Sequence, residues 1–408
     1  RSLKIMEQIL YHYKQEMNEE LQRLLQYWED YTLDDVRGGF IGKVDAANVV
    51  HPEAPKGAVL NARILWSFAA AFRLTGEKRY RELADRAYQY IDTKFVDPAF
   101  GGVYWSVDCN GLPLDTKKQV YALSFTIYAL AEYYQVAAEE KALQTAKALY
   151  YLILKHAYDK QHGGYIEALT NDWKPITDFR LSSKDKNTPK SMNTHLHVLE
   201  AFTNLYRVWP DDNLGSHIER LIVDFEQHII HPQTKHLQLF FDYDWTVMDT
   251  DVSFGHDIEA SWLLLEAAEV LGNLALIRRT KETAVAMATA AAKGLDADGG
   301  LWYEADATYT HWVREKHWWP QSEGMVGFLN AYQLTDEENF LQQSLSCWAF
   351  VKRSLKDPKG EWFWGVDANG LYMNQDKAGF WKCPYHNTRA CIEVVRRADR
   401  LLNKQSHL

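Results

Sequence analysis

Residues 56–74, KGAVLNARILWSFAAAFRL, are apolar on nearly every side of a helical projection. Residues 78–95, KRYRELADRAYQYIDTKF, keep their apolar positions to one stripe at three- and four-residue spacing. The first pattern predicts a helix buried all round, and the second an amphipathic helix with a solvated face. The couplet recurs along the chain, and a turn splits each pair: TGEK, AAEE, WPDD, LGNL or TDEE. The more apolar, small-residue-rich member of each pair is expected to lie inside and its charged partner outside.

Between couplets stand short alternating aromatic segments that predict hairpins or extended loops. They read RGGFIGKVDAANVV from Arg37, FGGVYWSVDCNGLP from Phe100 and HGGYIEALTNDWKP from His162, then DGGLWYEADATYTH from Asp298 and KGEWFWGVDANGLY from Lys359. Their leading glycines, Gly38, Gly101, Gly163, Gly299 and Gly360, are 63, 62, 136 and 61 residues apart. The long gap is two periods, and HLQLFFDYDWTVMD at 236–249 fills its middle without the glycine pair. Six copies with a period near 62 result. The last couplet is completed if a C-terminal helix over about 383–403 packs on an N-terminal helix over about 3–28. Complementary chain ends predict closure: an all-α (α/α)6 barrel of six inner and six outer helices, with short hairpins at one rim, over a single domain at 1–408. The competing architecture is an open solenoid of helix pairs.

Composition narrows the function. Of 408 residues 47% are apolar, enough for a large core, and the formal net charge of -10 comes without a basic run, so nucleic acid and anionic membrane are not expected partners. No stretch is long and apolar enough to span a bilayer. The first residues, RSLKIMEQILYHYKQE, carry no secretory h-region, and Cys109, Cys347, Cys383 and Cys391 form no CxxC pair, so a cytoplasmic protein with reduced thiols is expected. Fifteen tryptophans exceed ordinary usage and suit stacking on sugar rings as well as core filling.

The repeat also gives the polar residues a coordinate system. Each hairpin precedes an inner helix, so all six inner-helix starts share one rim. In order they carry Arg63, Tyr121, Asn193 with His197, His256 with Glu259, Trp318 with Glu323, and Trp381 with His386. These groups are costly to bury, and core placement by itself gives no reason for them to gather at one rim. In MNTHLHVLEAF, Asn193, His197 and Glu200 share a face, whereas His195 points elsewhere and reads as structural. Asp257 turns away from His256 and reads as a cap or a solvated residue. Pro384 suits a first helical turn, and Arg389 reads as a rim ion pair. Arg63 needs an anionic partner, for which Glu259, Glu323 or a substrate oxygen could serve.

Three chemistries fit such a rim. His197, His256 and His386 with a glutamate offer metal ligands, but they come from separate helices without a ligand-spaced motif. Glu259, Glu323 and Asp185 supply carboxylates for a glycosidase. Proton transfer next to a carbonyl best uses several imidazoles, because histidine both accepts and donates near neutral pH. Inverting a carbon centre is simplest with one histidine on each face, while Arg63 and helix N-termini meet the developing enolate. A non-catalytic sugar-binding module is the remaining class.

LNARILW, MNTHLHVLEAFTNLYRVWP, SFGHDIEASWLLLEA, HWWPQSEGMVGFLNAYQ and FWKCPYHNTRACIE resemble the N-acylglucosamine 2-epimerase family, most closely its cellobiose 2-epimerase members. The likeness runs over essentially the whole chain. It implies an (α/α)6 barrel that reversibly epimerises C2 of a reducing-end glucose or mannose unit, without metal or nucleotide sugar and with no cofactor. By the resemblance, His256 and His386 are general acid/base residues on opposite faces, working through a cis-enediolate. Arg63 lies near the reacting oxygens, and His197 assists ring opening and enediolate stabilisation. Tyr121, Asp185, Asn193, Glu259 and Glu323 belong to the substrate-binding set, Glu259 also as an orienter of His256. Trp318, in preference to Trp319, and Trp381 match sugar-stacking positions. The implied partners are small sugars (cellobiose, lactose, mannobiose, or free glucose and mannose) acted on by a monomer. Family members that act on free mannose, or isomerise it, form the alternative, and an (α/α)6 glycoside hydrolase is the more distant one.

Overall fold

A computed structural model describes residues 2–406 of the chain. Its helices fall into six couplets. The inner members are α2 (Ala58–Thr75), α4 (Val120–Ala137), α6 (Met192–Val208), α8 (Phe254–Leu271), α10 (Trp318–Thr335) and α12 (Tyr385–Ser406). The outer members are α1 (Leu3–Thr32), α3 (Lys78–Tyr90), α5 (Glu140–His156), α7 (Asp212–Asp224), α9 (Leu274–Ala291) and α11 (Glu338–Ser354). Each inner helix packs on the next, and α12 packs on both α2 and α1, which closes the ring. The fold is thus an (α/α)6 barrel, and the open-solenoid alternative falls away. Pro384 lies one residue ahead of α12 rather than inside its first turn, and its carbonyl accepts from Thr388 N.

Burial follows the sequence pattern. In α2 every residue from Ala58 to Ala71 is buried, whereas α3 buries Tyr80, Leu83, Ala84, Ala87 and Tyr88 along one stripe. Gly76 and Gly272 end α2 and α8 in the left-handed conformation, and their N–H groups cap the carbonyls of Phe72 and Ala268.

The rim is stitched together by two-residue antiparallel ladders. Each strand leading into an inner helix pairs with the following hairpin: Lys56–Gly57 with Ser106–Val107, Lys118–Gln119 with Ala168–Leu169, Lys190–Ser191 with Phe240–Phe241, and Lys316–His317 with Gly365–Val366. Asp251–Ser253 pairs likewise with Glu304–Asp306, and Val44 bridges to Ala378 to complete the circle. The fourth hairpin forms without the glycine pair because Lys235 takes the left-handed conformation (φ 63°) that Gly38, Gly101 and Gly163 hold elsewhere.

A second repeated device escaped the pattern reading. Lysines at the rim reach back to an aspartate at the foot of a hairpin: Lys56 to Asp34 at 2.9 Å, Lys118 to Asp97 at 2.8 Å, Lys190 to Asp159 at 2.8 Å, Lys316 to Asp296 at 2.6 Å and Lys377 to Asp357 at 2.7 Å. The fourth repeat differs. There His236 Nδ1 bonds Asp257 Oδ2 at 2.6 Å, and Asp257 Oδ1 accepts from Leu237 N. Asp257 is therefore fully buried and fastens a hairpin to α8, not a solvated cap. Deleting one buried cation strands its carboxylate, so Lys118→Met is expected to cost about 3–5 kcal/mol in urea unfolding. A loss under ~1 kcal/mol, the size of a surface ion pair, would refute this account.

Candidate active site

All six inner helices contribute to one cavity of about 290 Å³ at the hairpin rim. Arg63, Tyr121, Asn193, His197, His256, Glu259, Trp318, Trp381 and His386 line it, joined by Asp185 from the loop before α6. Leu181, Ser182, Ser183 and Lys184 of the same loop form part of the wall. Tyr303, His317, Trp364 and Gln375 also line it and were missed in the sequence. They sit on hairpins and connecting loops, where neither helical period nor rim position marks them.

His256 sits in the first turn of α8, and its Nδ1 lies 2.7 Å from Ser253 Oγ. The Trp319 ring lies against it, centroid to centroid 4.5 Å, and also against His386 at 5.6 Å. A Cβ at Gly255 would meet that indole at 2.6 Å, so the glycine of FGHD is what allows Trp319 to reach α8. Trp318, preferred from the sequence, is buried and packs 4.8 Å from Trp364. Both tryptophans line the cavity, but Trp319 is the one in contact with both histidines. Burial, and then the nearby His197 and His386, push His256 down to about 3.

His386, in the first turn of α12, places Nδ1 2.9 Å from Glu323 Oε1. A carboxylate only accepts, so Nδ1 carries the proton and the neutral ring keeps Nε2 as a free base. Burial pushes His386 down to about 3 against the pull of Glu323. His197 Nδ1 lies 3.4 Å from Glu200 Oε1, and its ring packs on Tyr121 and Phe125. Burial lowers His197 as well.

Beneath the cavity lies a fully buried charge network centred on Arg389. Its guanidinium binds Glu200, Glu259 at 3.0 Å and Glu323 at 2.7 Å. Tyr385 Oη donates to Glu200 at 2.5 Å, and Trp262 Nε1 donates to Glu323 at 3.0 Å. Three sequence expectations change here. Arg389 is no rim pair but a hub. Glu323 is not among the residues lining the cavity, because its oxygens are committed to His386, Arg389 and Trp262. Glu259 lies 3.7 Å from His386 Nδ1 rather than orienting His256, a place taken by Ser253. Although burial opposes ionisation, Arg389 and then His386 hold Glu323 down at about 2. Glu259 moves the other way, driven up by burial and by the charge of Glu323.

With these carboxylates claimed by Arg389, Arg63 has no ion-pair partner among the described residues. Its Nη2 donates to Tyr121 Oη at 2.9 Å, its Nη1 faces Cys383 Sγ at 3.7 Å, and its guanidinium lies over the rings of Phe125 and Tyr385. A buried cation without a carboxylate, on the wall of a polar cavity, is arranged to meet oxygen atoms of a ligand. Asn193 Oδ1 and Glu259 Oε1 find no hydrogen-bond partner among the described residues. Glu259, Glu323 and His386 bring possible metal-ligand atoms within 4.8 Å of one another, but the Arg389 guanidinium already donates to both carboxylates. That set is a charge-compensated network rather than a vacant cation site.

The N-acylglucosamine 2-epimerase family model matches residues 38–390, which span the candidate residues of this cavity and the Arg389 network. The chain belongs to the N-acylglucosamine 2-epimerase family. Within it, the chain is 49% identical over 385 residues to the cellobiose 2-epimerase of Bacteroides fragilis, covering 94% of this chain and 98% of that protein. It is 35% identical to the cellobiose 2-epimerase of Dictyoglomus turgidum, again over 94% of this chain and 98% of the relative. The solved cellobiose 2-epimerase of Bacillus thermoamylovorans superposes with a TM-score of 0.91 at 39% identity, covering 95% of this chain and all of that one. For this family member, no helix among the described residues is long and apolar enough to cross a membrane.

Proposed function

We propose that the chain is an isomerase that epimerises C2 of the reducing-end glucose or mannose unit in β-1,4-linked disaccharides. Cellobiose becomes 4-O-β-glucosyl-mannose, and lactose becomes epilactose. Beside the family membership, one observation carries the reading. Two imidazoles from different inner helices, the partly exposed His256 and the buried His386, face one cavity with an indole, Trp319, against both.

Ring opening breaks the C1–O5 bond, moves the O1 proton to a base and returns a proton to O5, with His197 as the relay. One of the two catalytic histidines then enters neutral and takes the C2 proton. The C–H electron pair forms the C1=C2 bond, and the carbonyl oxygen becomes an enediolate, stabilised by the Arg63 guanidinium, which has no ion pair among the described residues. The other histidine enters as imidazolium and delivers its proton to the opposite face, which restores the aldehyde before ring closure. The two histidines are left with exchanged protonation states, which proton exchange with solvent resets. Tyr121, Asn193, Asp185 and Glu259 hold sugar hydroxyls, and Trp318, Trp319 and Trp381 supply ring faces. Glu323 acts through His386 as a positioning residue. No cofactor takes part, and the chain works as a single-domain cytoplasmic monomer.

The glycosidase reading fits the geometry poorly. Of its three candidate carboxylates Glu323 is sealed beneath the cavity, and of the two that line it, Asp185 and Glu259, the latter is already bonded to Arg389. Incubation with cellobiose, mannose and glucose in D2O decides between the readings. Deuterium at C2 of cellobiose, with glucosyl-mannose formed, is the expected result. Release of glucose would establish hydrolysis instead, exchange on free mannose alone would establish a monosaccharide epimerase, and no exchange on any sugar would sink the epimerase reading.

A further inference from the structure

At the end of the barrel opposite the hairpin rim, the C-terminal halves of the six inner helices enclose a second, larger cavity of about 590 Å³. Nothing in the proposed reaction uses it. Three of its arginines are compensated: Arg73 pairs with Glu132 at 3.0 Å, Arg207 with Glu266 at 2.7 Å and Arg397 with Glu393 at 3.1 Å. Arg396 is not. Among the described residues no carboxylate lies within ion-pair distance of it, and its charged neighbours include Arg73 and Arg400. Burial and the charge of Arg73 accordingly lower its pKa, against the attraction of Glu393 and Glu132.

Two further groups on the same wall lack partners, and both are donors. Trp66 Nε1 and Asn330 Nδ2 find no acceptor among the described residues, although both residues are only 5% exposed. Asn330 has already spent its carbonyl oxygen, which accepts from Arg397 Nη1 at 2.8 Å. Five arginines against four glutamates, Glu132, Glu266, Glu269 and Glu393, leave this lining one positive charge in excess, and the unpartnered indole and amide N–H groups add donors without acceptors. Arginines near helix C-termini also complement the helix dipoles. That accounts for the sign of Arg73 and Arg207, which lie in the last turns of α2 and α6, but it leaves the orphaned donors of Trp66 and Asn330 unexplained.

We propose that this lower cavity is a binding site for a small oxyanion, a phosphate- or carboxylate-bearing metabolite held by Arg396, Trp66 and Asn330. The site is separate from the catalytic cavity and does not depend on the reaction assigned there. An aromatic layer divides the two: Trp66 stacks on Tyr128 at 5.3 Å, and its other neighbour Tyr385 belongs to the network under the active site.

Isothermal titration of the whole chain with inorganic phosphate, glucose 6-phosphate and citrate, at fixed ionic strength in chloride, tests the site. Saturable binding of at least one of them, one per chain, is expected, and the tightest probe identifies the source of the oxyanion. Arg396→Gln is expected to weaken that binding about tenfold or more, the scale of one charge-assisted hydrogen bond. Arg396 is half-buried and has no ion pair, so the variant should fold and turn over cellobiose as before. Trp66→Phe keeps the ring and deletes only the indole donor, and a severalfold loss is expected. The proposal is overturned if none of the three probes binds saturably. It is equally overturned if binding persists unchanged in both variants, or if cellobiose displaces the anion while Arg396→Gln has no effect.

Discussion

His386→Asn is expected to lower the rate of cellobiose epimerisation at least ~10³-fold, because one of two obligatory proton-transfer groups is gone. Asparagine is close to imidazole in size and can still offer an amide N–H to Glu323, so the melting temperature should move little. His256→Asn, which leaves the bond partner Ser253 in place, should show the same loss. The two variants differ in a way that tests the assignment itself. With one histidine left, C2 can still exchange its proton on one face only. Each variant should therefore incorporate deuterium into one epimer, glucose-type or mannose-type, and the two variants should choose opposite epimers. Equal residual exchange on both epimers, or wild-type turnover from either variant, would refute the two-face assignment. Since burial depresses both imidazoles to about 3, the neutral base stays available well below the ordinary histidine range. Supply of the imidazolium partner, rather than of the base, is then expected to limit the reaction at high pH.

Arg389→Met carries the largest expected cost in stability. The guanidinium compensates Glu200, Glu259 and Glu323 together, all of them buried. Removing one partner from a buried ion cluster costs about 3–5 kcal/mol, and here three carboxylates lose it at once. Denaturant unfolding at pH 7 should show a loss at or above that range. The pH dependence has a definite sign. In the wild type, Glu200 and Glu323 lie at about 2, below their unfolded value, and favour the fold above that unfolded value. Without Arg389 their folded pKa values rise above the unfolded ones. The folded variant then binds more protons than its unfolded chain, and its deficit should narrow as pH falls towards 5. A variant with wild-type stability at pH 7, or a deficit that widens on acidification, would show that Arg389 does not hold the cluster. Since the same carboxylates orient His197 and His386, any folded fraction should also lose kcat more than KM.

Much of this was legible without coordinates, and for a physical reason. Helical periodicity records which face of each segment is buried. A period near 62 residues, repeated six times, leaves little but a ring of helix couplets once α1 can pair with α12. Which end of each inner helix meets the hairpins also follows from order along the chain, so Arg63, Tyr121, His197, His256 and His386 could be placed on one rim from their sequence positions alone.

Depth below that rim could not be read. Glu259 and Glu323 occupy similar places in their helices, yet one lines the cavity and the other is sealed under it, because Trp262 and Arg389 claim its oxygens. Asp257 looked like a solvated cap since nothing local says that His236, 21 residues earlier, folds back onto it. Trp318 and Trp319 are neighbours in sequence on one helix turn, and the absence of a Cβ at Gly255, on another helix, selects which indole touches both histidines. The repeated lysine–aspartate pairs were hidden for the same reason, their partners lying about twenty residues apart in most repeats. The sequence by itself determined the ring, its inner and outer faces and the rim on which polar groups collect. Only closure of the ring decided who pairs with whom, because a charge chooses its partner by distance across the barrel and not by spacing along the chain.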